Sequence, residues 1–157
     1  MNEDLLRQQL AANLDGKGAH APLVETLAKY PAAFRSSRGP GVSRTAWQLM
    51  EHLRIAQWDI LEFTRDPGHS SPVFPDGYWP DEDAPPHDGA WDESVAAFRR
   101  DLEAMQGLVT DPAHDLVAPI PHGQGQTILR EALLVADHNS YHLGQLVQSR
   151  RILESLG

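Results

Sequence analysis

Ala136-Asp137-His138-Asn139-Ser140-Tyr141-His142-Leu143-Gly144-Gln145 lies inside a long helical run that Thr127 can cap and that extends to about Leu156. At 1.5 Å of rise per residue such a helix is roughly 45 Å long, enough to form one wall of a molecule. Residues four apart are neighbours on a helix surface, so His138 and His142 can aim two imidazoles at one point. Ala132, Val135, His142, Leu146 and Leu153 make a stripe that points His142 towards the core. A divalent metal needs at least one more donor. The candidate is His52, far upstream in the helical run Trp47-Gln48-Leu49-Met50-Glu51-His52-Leu53-Arg54.

The rest of the chain supplies the helices such a site requires. Leu5, Leu6, Leu10, Ala11 and Leu14 have helical spacing over Asp4 to Leu14, and Gly16 and Gly18 break that run. A second piece, Ala21 to Tyr30, puts Leu23, Val24, Leu27 and Tyr30 on one face and stops at Pro31; His20 falls at the joint, as a cap or a solvent contact. After the turn-rich stretch Ser36 to Gly41, Ser43 or Thr45 can cap a helix from Ala46 to Thr64. Its core stripe is Ala46, Leu49, Met50, Leu53, Ala56, Ile60 and Phe63, with His52 beside the stripe. Asp92 to about Leu108 is a further helix, with Asp92 or Ser94 near its start, Val95, Phe98, Leu102 and Met105 on one face, and Asp111-Pro112 as its end.

Between these helices, Asp66 to Ala90 dissolves into prolines, glycines and aromatics. Connections of that length in a compact domain are lids or crossovers, and Phe74, Tyr78 and Trp79 suggest packing against the body. No alternating strand pattern competes. The expectation is one all-α domain over residues 1–157, a four-helix bundle with a long crossover connection.

Composition narrows the function classes. A chain of 157 residues with 41% hydrophobic and 22% charged residues is that of a globular protein with a real core. No apolar run approaches the roughly 18 residues that span a bilayer, and the acidic start Met1-Asn2-Glu3-Asp4 lacks the positive segment of a signal peptide, so no membrane role and a cytoplasmic location are expected. The absence of cysteine removes any resident thiol nucleophile or thiolate ligand. A net charge of −9 and only two lysines argue against nucleic-acid binding; Arg35, Arg38 and Arg44 read as a solvated loop and helix start.

The histidine pair is not part of a zincin motif, because Asn139 stands where H-E-x-x-H places its glutamate base. Nor is there a Glu-x-x-His set on paired helices, which disfavours a di-iron carboxylate site. Three neutral imidazoles with open positions would leave the full dipositive charge of the ion available to polarise water or a thiolate. On the residues alone the alternative stands beside it: core histidines hydrogen-bonded to one another and to carboxylates.

Gly18-Ala19-His20, Trp47-x-x-x-Glu51-His52-Leu53-x-x-Ala56-Gln57-Trp58-Asp59, Tyr78-Trp79-Pro80, Pro121-His122-Gly123 and His138-x-x-Tyr141-His142-x-Gly144-Gln145-Leu146, in that order and spacing, resemble the DinB-like family, the stress-associated four-helix proteins related to YfiT. The resemblance covers nearly the whole chain. It implies a bundle with a long crossover and one divalent metal held by His52, His138 and His142. It also implies a function: a metal-dependent enzyme activating a small thiol or water, as an S-transferase or hydrolase. A non-catalytic metal-binding stress-response module is the alternative. Imidazole ligands do not distinguish Zn, Ni or Fe. Gln48, four before His52, and Gln145, three after His142, are candidates to orient the ligands or bound water. His122 is a candidate pocket contact, and Tyr141 is read as core packing ahead of a catalytic acid. His69, His87 and His114 need no role. The expected partners are a small-molecule substrate or low-molecular-weight thiol; a homodimer is compatible with the sequence, although no patch demands one.

Overall fold

The computed structural model describes residues 2–16 and 18–157; Met1 of the acidic start and Lys17 between the two breaking glycines lie outside the described residues. Five helices follow one another: α1 (Glu3–Leu14), α2 (Leu23–Ala28), α3 (Ala46–Arg65), α4 (Ala90–Thr110) and α5 (Ile128–Leu156), with short 3-10 turns at Ala32–Phe34 and Asp76–Tyr78. No strand occurs among the described residues, and no helix there is long and apolar enough to cross a membrane. Helices α1, α3, α4 and α5 form the bundle, and the connection between α3 and α4 is its long crossover.

Local chemistry sets the helix ends. The Asn2 side chain accepts the Leu5 N–H at 3.2 Å, and Gly16 adopts a left-handed φ of 66° just past α1, which only glycine takes without strain. Thr45 starts α3 through a capping box: Gln48 N–H donates to Thr45 Oγ1 at 3.2 Å and Thr45 N–H donates to Gln48 Oε1 at 3.2 Å. Two boundaries differ from the sequence reading. Helix α2 is only Leu23–Ala28, because Pro22 fixes its entry and Lys29 already leaves helical geometry. Helix α4 begins at Ala90 behind Gly89; Asp92 sits in its first turn, and Ser94 donates to Glu51 Oε1 at 2.5 Å instead of capping.

Helix α3 packs against both α4 and α5 and is buried almost all round. The expected stripe holds at Ala46, Leu49, Met50, Leu53 and Ala56, whereas Ile60 and Phe63 are half-buried. Trp47, Gln48, Glu51, His52, Gln57, Asp59, Leu61 and Thr64 are buried as well. A helix with neighbours on several sides needs partners for its polar groups. Gln57 finds them on two helices: its Nε2 donates to the Phe98 carbonyl of α4 at 2.7 Å, and its Oε1 accepts from Asn139 Nδ2 of α5 at 2.9 Å. These bonds fix the axial register of three helices. Leu53, Phe98, Trp91, Met105, Leu143 and Leu146 fill the core around them. Arg7, buried on α1, donates to the carbonyls of Val109, Asp111 and His114 at 2.8, 3.0 and 2.6 Å and so satisfies the C-terminal end of α4.

Candidate metal centre

The register set by Gln57 and Asn139 brings His52 of α3 opposite His138 and His142 of α5. The Nε2 atom of His52 lies 3.1 Å from that of His142 and 3.0 Å from that of His138. Candidate ligand atoms from all three residues lie within 4.8 Å of one another. His52 and His142 are buried and His138 is half-buried. His52 was placed by sequence beside the core stripe; it is only 7% exposed, because α5 and the crossover together cover that side of α3.

The other ring nitrogens decide what the Nε2 atoms of His52 and His142 can be. His52 Nδ1 lies 2.9 Å from the Tyr78 carbonyl, which can only accept, so Nδ1 carries the proton and Nε2 presents a lone pair. His142 Nδ1 lies 2.6 Å from Gln145 Oε1 and is protonated for the same reason. Lone pairs thus face each other across 3.1 Å with no hydrogen between them. Protonation does not relieve this. Burial, aided by the charges of His142 and Arg44, pushes His52 down to about 4 against the opposing pull of the Tyr78 carbonyl. Burial, with His142 and His52, pushes His138 down to about 3, and burial also lowers His142. At neutral pH the cluster is three uncharged imidazoles whose Nε2 atoms converge, those of His52 and His142 as lone pairs, an arrangement that suits a cation.

The spacing fits as well. Two nitrogens about 2.1 Å from a common ion, the usual metal–imidazole distance, are roughly 3 Å apart when they meet it near a right angle. The residues present therefore fit a divalent ion.

Aromatic packing holds the cluster in place. The Trp79 ring stacks on His52 at 3.8 Å with an interplanar angle of 2°, and Arg44 lies over the Trp79 ring, Cζ 4.4 Å from its centroid. Trp79 and the Tyr78 carbonyl come from the crossover, which is tied down by the phenol of Tyr78 donating to Asp59 Oδ2 at 2.6 Å and by His69 Nε2 meeting Asp59 Oδ1 at 2.7 Å. His69 therefore has a role that sequence reading denied it. Its side chain is buried at 8% exposure against α3, and its ring meets Trp58 edge-on at 5.1 Å. The signal was available: a histidine and a carboxylate bracket Asp66-Pro67, ten residues apart, across a loop too aromatic to be a free linker. Phe74, by contrast, is 79% exposed, so only Tyr78 and Trp79 of the three loop aromatics pack on the body. His87 and His114 stay at the exposed surface beside Glu93 and Asp111. His20 meets Ser140 Oγ at 3.1 Å on an exposed face.

The four further candidates separate. Gln145 is directly behind His142. Gln48 is committed to the cap of α3. His122 donates from Nε2 to the Phe63 carbonyl at 2.6 Å, fastening the loop before α5 to the far end of α3, eleven residues beyond His52 and so about 16 Å along the helix. Tyr141 is 65% exposed, which corrects its reading as core packing: His142 takes the inward direction, and the adjacent position turns about 100° away. Its ring meets His142 edge-on at 4.9 Å and lines a cavity of about 610 Å³ whose wall also includes Arg44, Trp79, His142, Gln145 and Gln148. A volume of that size is typical of small-molecule sites. Arg44 was missed by sequence reading, which saw only a basic residue before a helix.

Comparison with curated proteins and with solved structures gives no match. The family model described as the DinB superfamily matches residues 4–146, almost the full length, and together with the helical bundle and its convergent histidines this makes the chain a member of the DinB superfamily.

Proposed function

We propose that the protein is a metal-dependent enzyme, active in the cytoplasm, in which His52, His138 and His142 hold one divalent ion beside a small-molecule cavity. The observation that carries this reading is the convergence of Nε2 atoms at 3.0 and 3.1 Å, with the Nδ1 positions of His52 and His142 already engaged. A divalent ion held by His52, His138 and His142 would supply Lewis acidity, the chemistry that makes a thiol or water nucleophilic at neutral pH. The chain's own residues do the rest. The Tyr78 carbonyl and Gln145 fix two imidazole tautomers, and Trp79 fixes the plane of His52. The cavity wall orients the organic substrate against His142. The reaction class is S-transfer from a low-molecular-weight thiol, or hydrolysis.

The neighbouring cavity favours catalysis over a purely structural ion, which would need no substrate-sized space beside it. Elemental analysis of purified protein tests the first half of the proposal: one divalent ion per chain is expected in the native sequence and none in His142→Ala. Equal trace metal in both overturns the site. A screen of metal-loaded protein with cellular thiols and electrophiles, and with hydrolysable esters and amides, tests the second half. Full loading with no turnover of any of them overturns the enzymatic reading and leaves a non-catalytic metal module.

A further inference from the structure

We propose that Arg44 is the anion-recognition residue of the cavity, and that the small molecule handled at the histidine cluster carries a carboxylate. This deepens the metalloenzyme reading above and rests on it for the position of the reacting end.

The protein is strongly acidic, with 22 carboxylates against 13 lysines and arginines. Six of its eleven arginines pair with carboxylates: Arg7 with Glu3, Arg38 with Asp83, Arg54 with Glu51, Arg65 with Glu62, Arg130 with Glu131 and Arg150 with Glu154. Arg44 makes no ion pair and no hydrogen bond among the described residues. Its guanidinium is instead held over Trp79, the ring that stacks on His52. A guanidinium placed on an aromatic face keeps its in-plane N–H donors available, and their fork matches a planar carboxylate.

The placement is that of a receptor within the site. Arg44 lines both the 610 Å³ cavity that reaches His142 and a second one of about 330 Å³ that it shares with Trp79, Asp76 and Asp81; the larger cavity has no carboxylate in its wall. Gln145 and Gln148 line the same larger cavity, and a methyl group added at Gly144 would meet nothing within 4 Å, so that wall is open to a ligand. A phosphate is the less suitable anion. Arg44 sits at the N-terminus of α3, but two of the three first-turn donors that would cradle a phosphate there are spent: Trp47 N–H donates to the Arg35 carbonyl at 2.8 Å and Gln48 N–H to Thr45 Oγ1 at 3.2 Å. One guanidinium without backbone support suits a singly charged carboxylate.

The test uses cobalt(II)-loaded protein titrated with 3-mercaptopropionate and with 2-mercaptoethanol, read by thiolate-to-cobalt charge-transfer absorption. The native sequence is expected to prefer the carboxylate-bearing thiol by about tenfold. Arg44→Gln should lose the preference with unchanged cobalt stoichiometry, and Arg44→Lys should keep part of it. Equal preference in the native protein and Arg44→Gln, or none in either, overturns the proposal. Absence of cobalt uptake by the native protein identifies failure of the metal reading instead. In that case propionate titrated into metal-free protein decides: NMR shifts at the Arg44 side chain and the Gly144 amide that vanish in Arg44→Gln uphold the anion site. No shift, or a larger response to inorganic phosphate, overturns the carboxylate assignment.

Discussion

Replacing Gln145 by leucine isolates the contribution of one outer hydrogen bond to the histidine cluster. Gln145 is exposed on α5 and its one polar contact with the site is the 2.6 Å bond from His142 Nδ1. Leucine and glutamine are comparable helix formers, so the fold should be unaffected. Without the acceptor, the proton of His142 is free to move to Nε2, which blocks that nitrogen as a ligand, and the ring is free to rotate. Loss of such an outer partner commonly costs ten- to a hundredfold in metal affinity, about 1.4–2.7 kcal/mol. That is also the range of a hydrogen bond with charged character, which this one becomes when an ion draws electron density from the ring. Competition against a chelator of known zinc affinity at neutral pH measures it directly. Gln145→Glu keeps the acceptor and adds charge, and it should bind as tightly as the native protein or more so. Native affinity in Gln145→Leu would show that the position of His142 is set by helix packing alone, and the account of tautomer control would be wrong.

The other glutamine behaves differently. Gln48→Ala breaks the capping box of α3 and should cost about 1 kcal/mol of stability in thermal or urea unfolding while leaving metal affinity unchanged. Gln57→Ala leaves the buried Asn139 amide without its acceptor and removes the second bond to the Phe98 carbonyl, and a loss of roughly 1–3 kcal/mol is expected, together with weaker metal binding because the α3–α5 register is no longer pinned. His69→Ala removes one of the two bonds that hold Asp59 to the crossover; cleavage within residues 66–89 by a protease should accelerate, and the stacking of Trp79 on His52 should loosen, visible as changed tryptophan fluorescence. Metal-free protein should lose stability on acidification. His52 and His138 titrate at about 4 and about 3 in the folded state against 6.5 ordinarily, so between those values the unfolded chain binds more protons and the stability present above 6.5 falls with pH. Urea unfolding across that range checks it, and His138→Gln should flatten the slope.

The helices, their order and much of the core follow from apolar spacing and local stop signals, which act within a few residues of each other. Leu49, Met50 and Leu53, or Val95, Phe98 and Leu102, repeat at the helical period whatever packs against them, and Thr45 caps α3 through a residue three positions away. The histidine cluster was half legible for the same reason. His138 and His142 are one turn apart, so their proximity is a property of one helix, whereas His52 joins them only because Gln57 and Asn139 set how far α3 slides along α5. The two candidate glutamines show the limit plainly: both lie three or four residues from a histidine, and spacing cannot tell that Gln48 turns back to its own helix start while Gln145 turns to a ring nitrogen. Tyr141, His69 and Arg44 were misjudged because exposure, loop anchoring and cation stacking depend on chain segments distant in sequence. Sequence by itself thus determined a helical bundle carrying a histidine pair, since those are consequences of short-range periodicity, and the resemblance of its motifs named His52 as the third histidine. The tertiary structure alone decided how closely the His52 imidazole meets that pair, that Trp79 and the Tyr78 carbonyl hold it, and that an unpaired arginine faces the same cavity, because each is a contact between surfaces that the chain brings together only on folding.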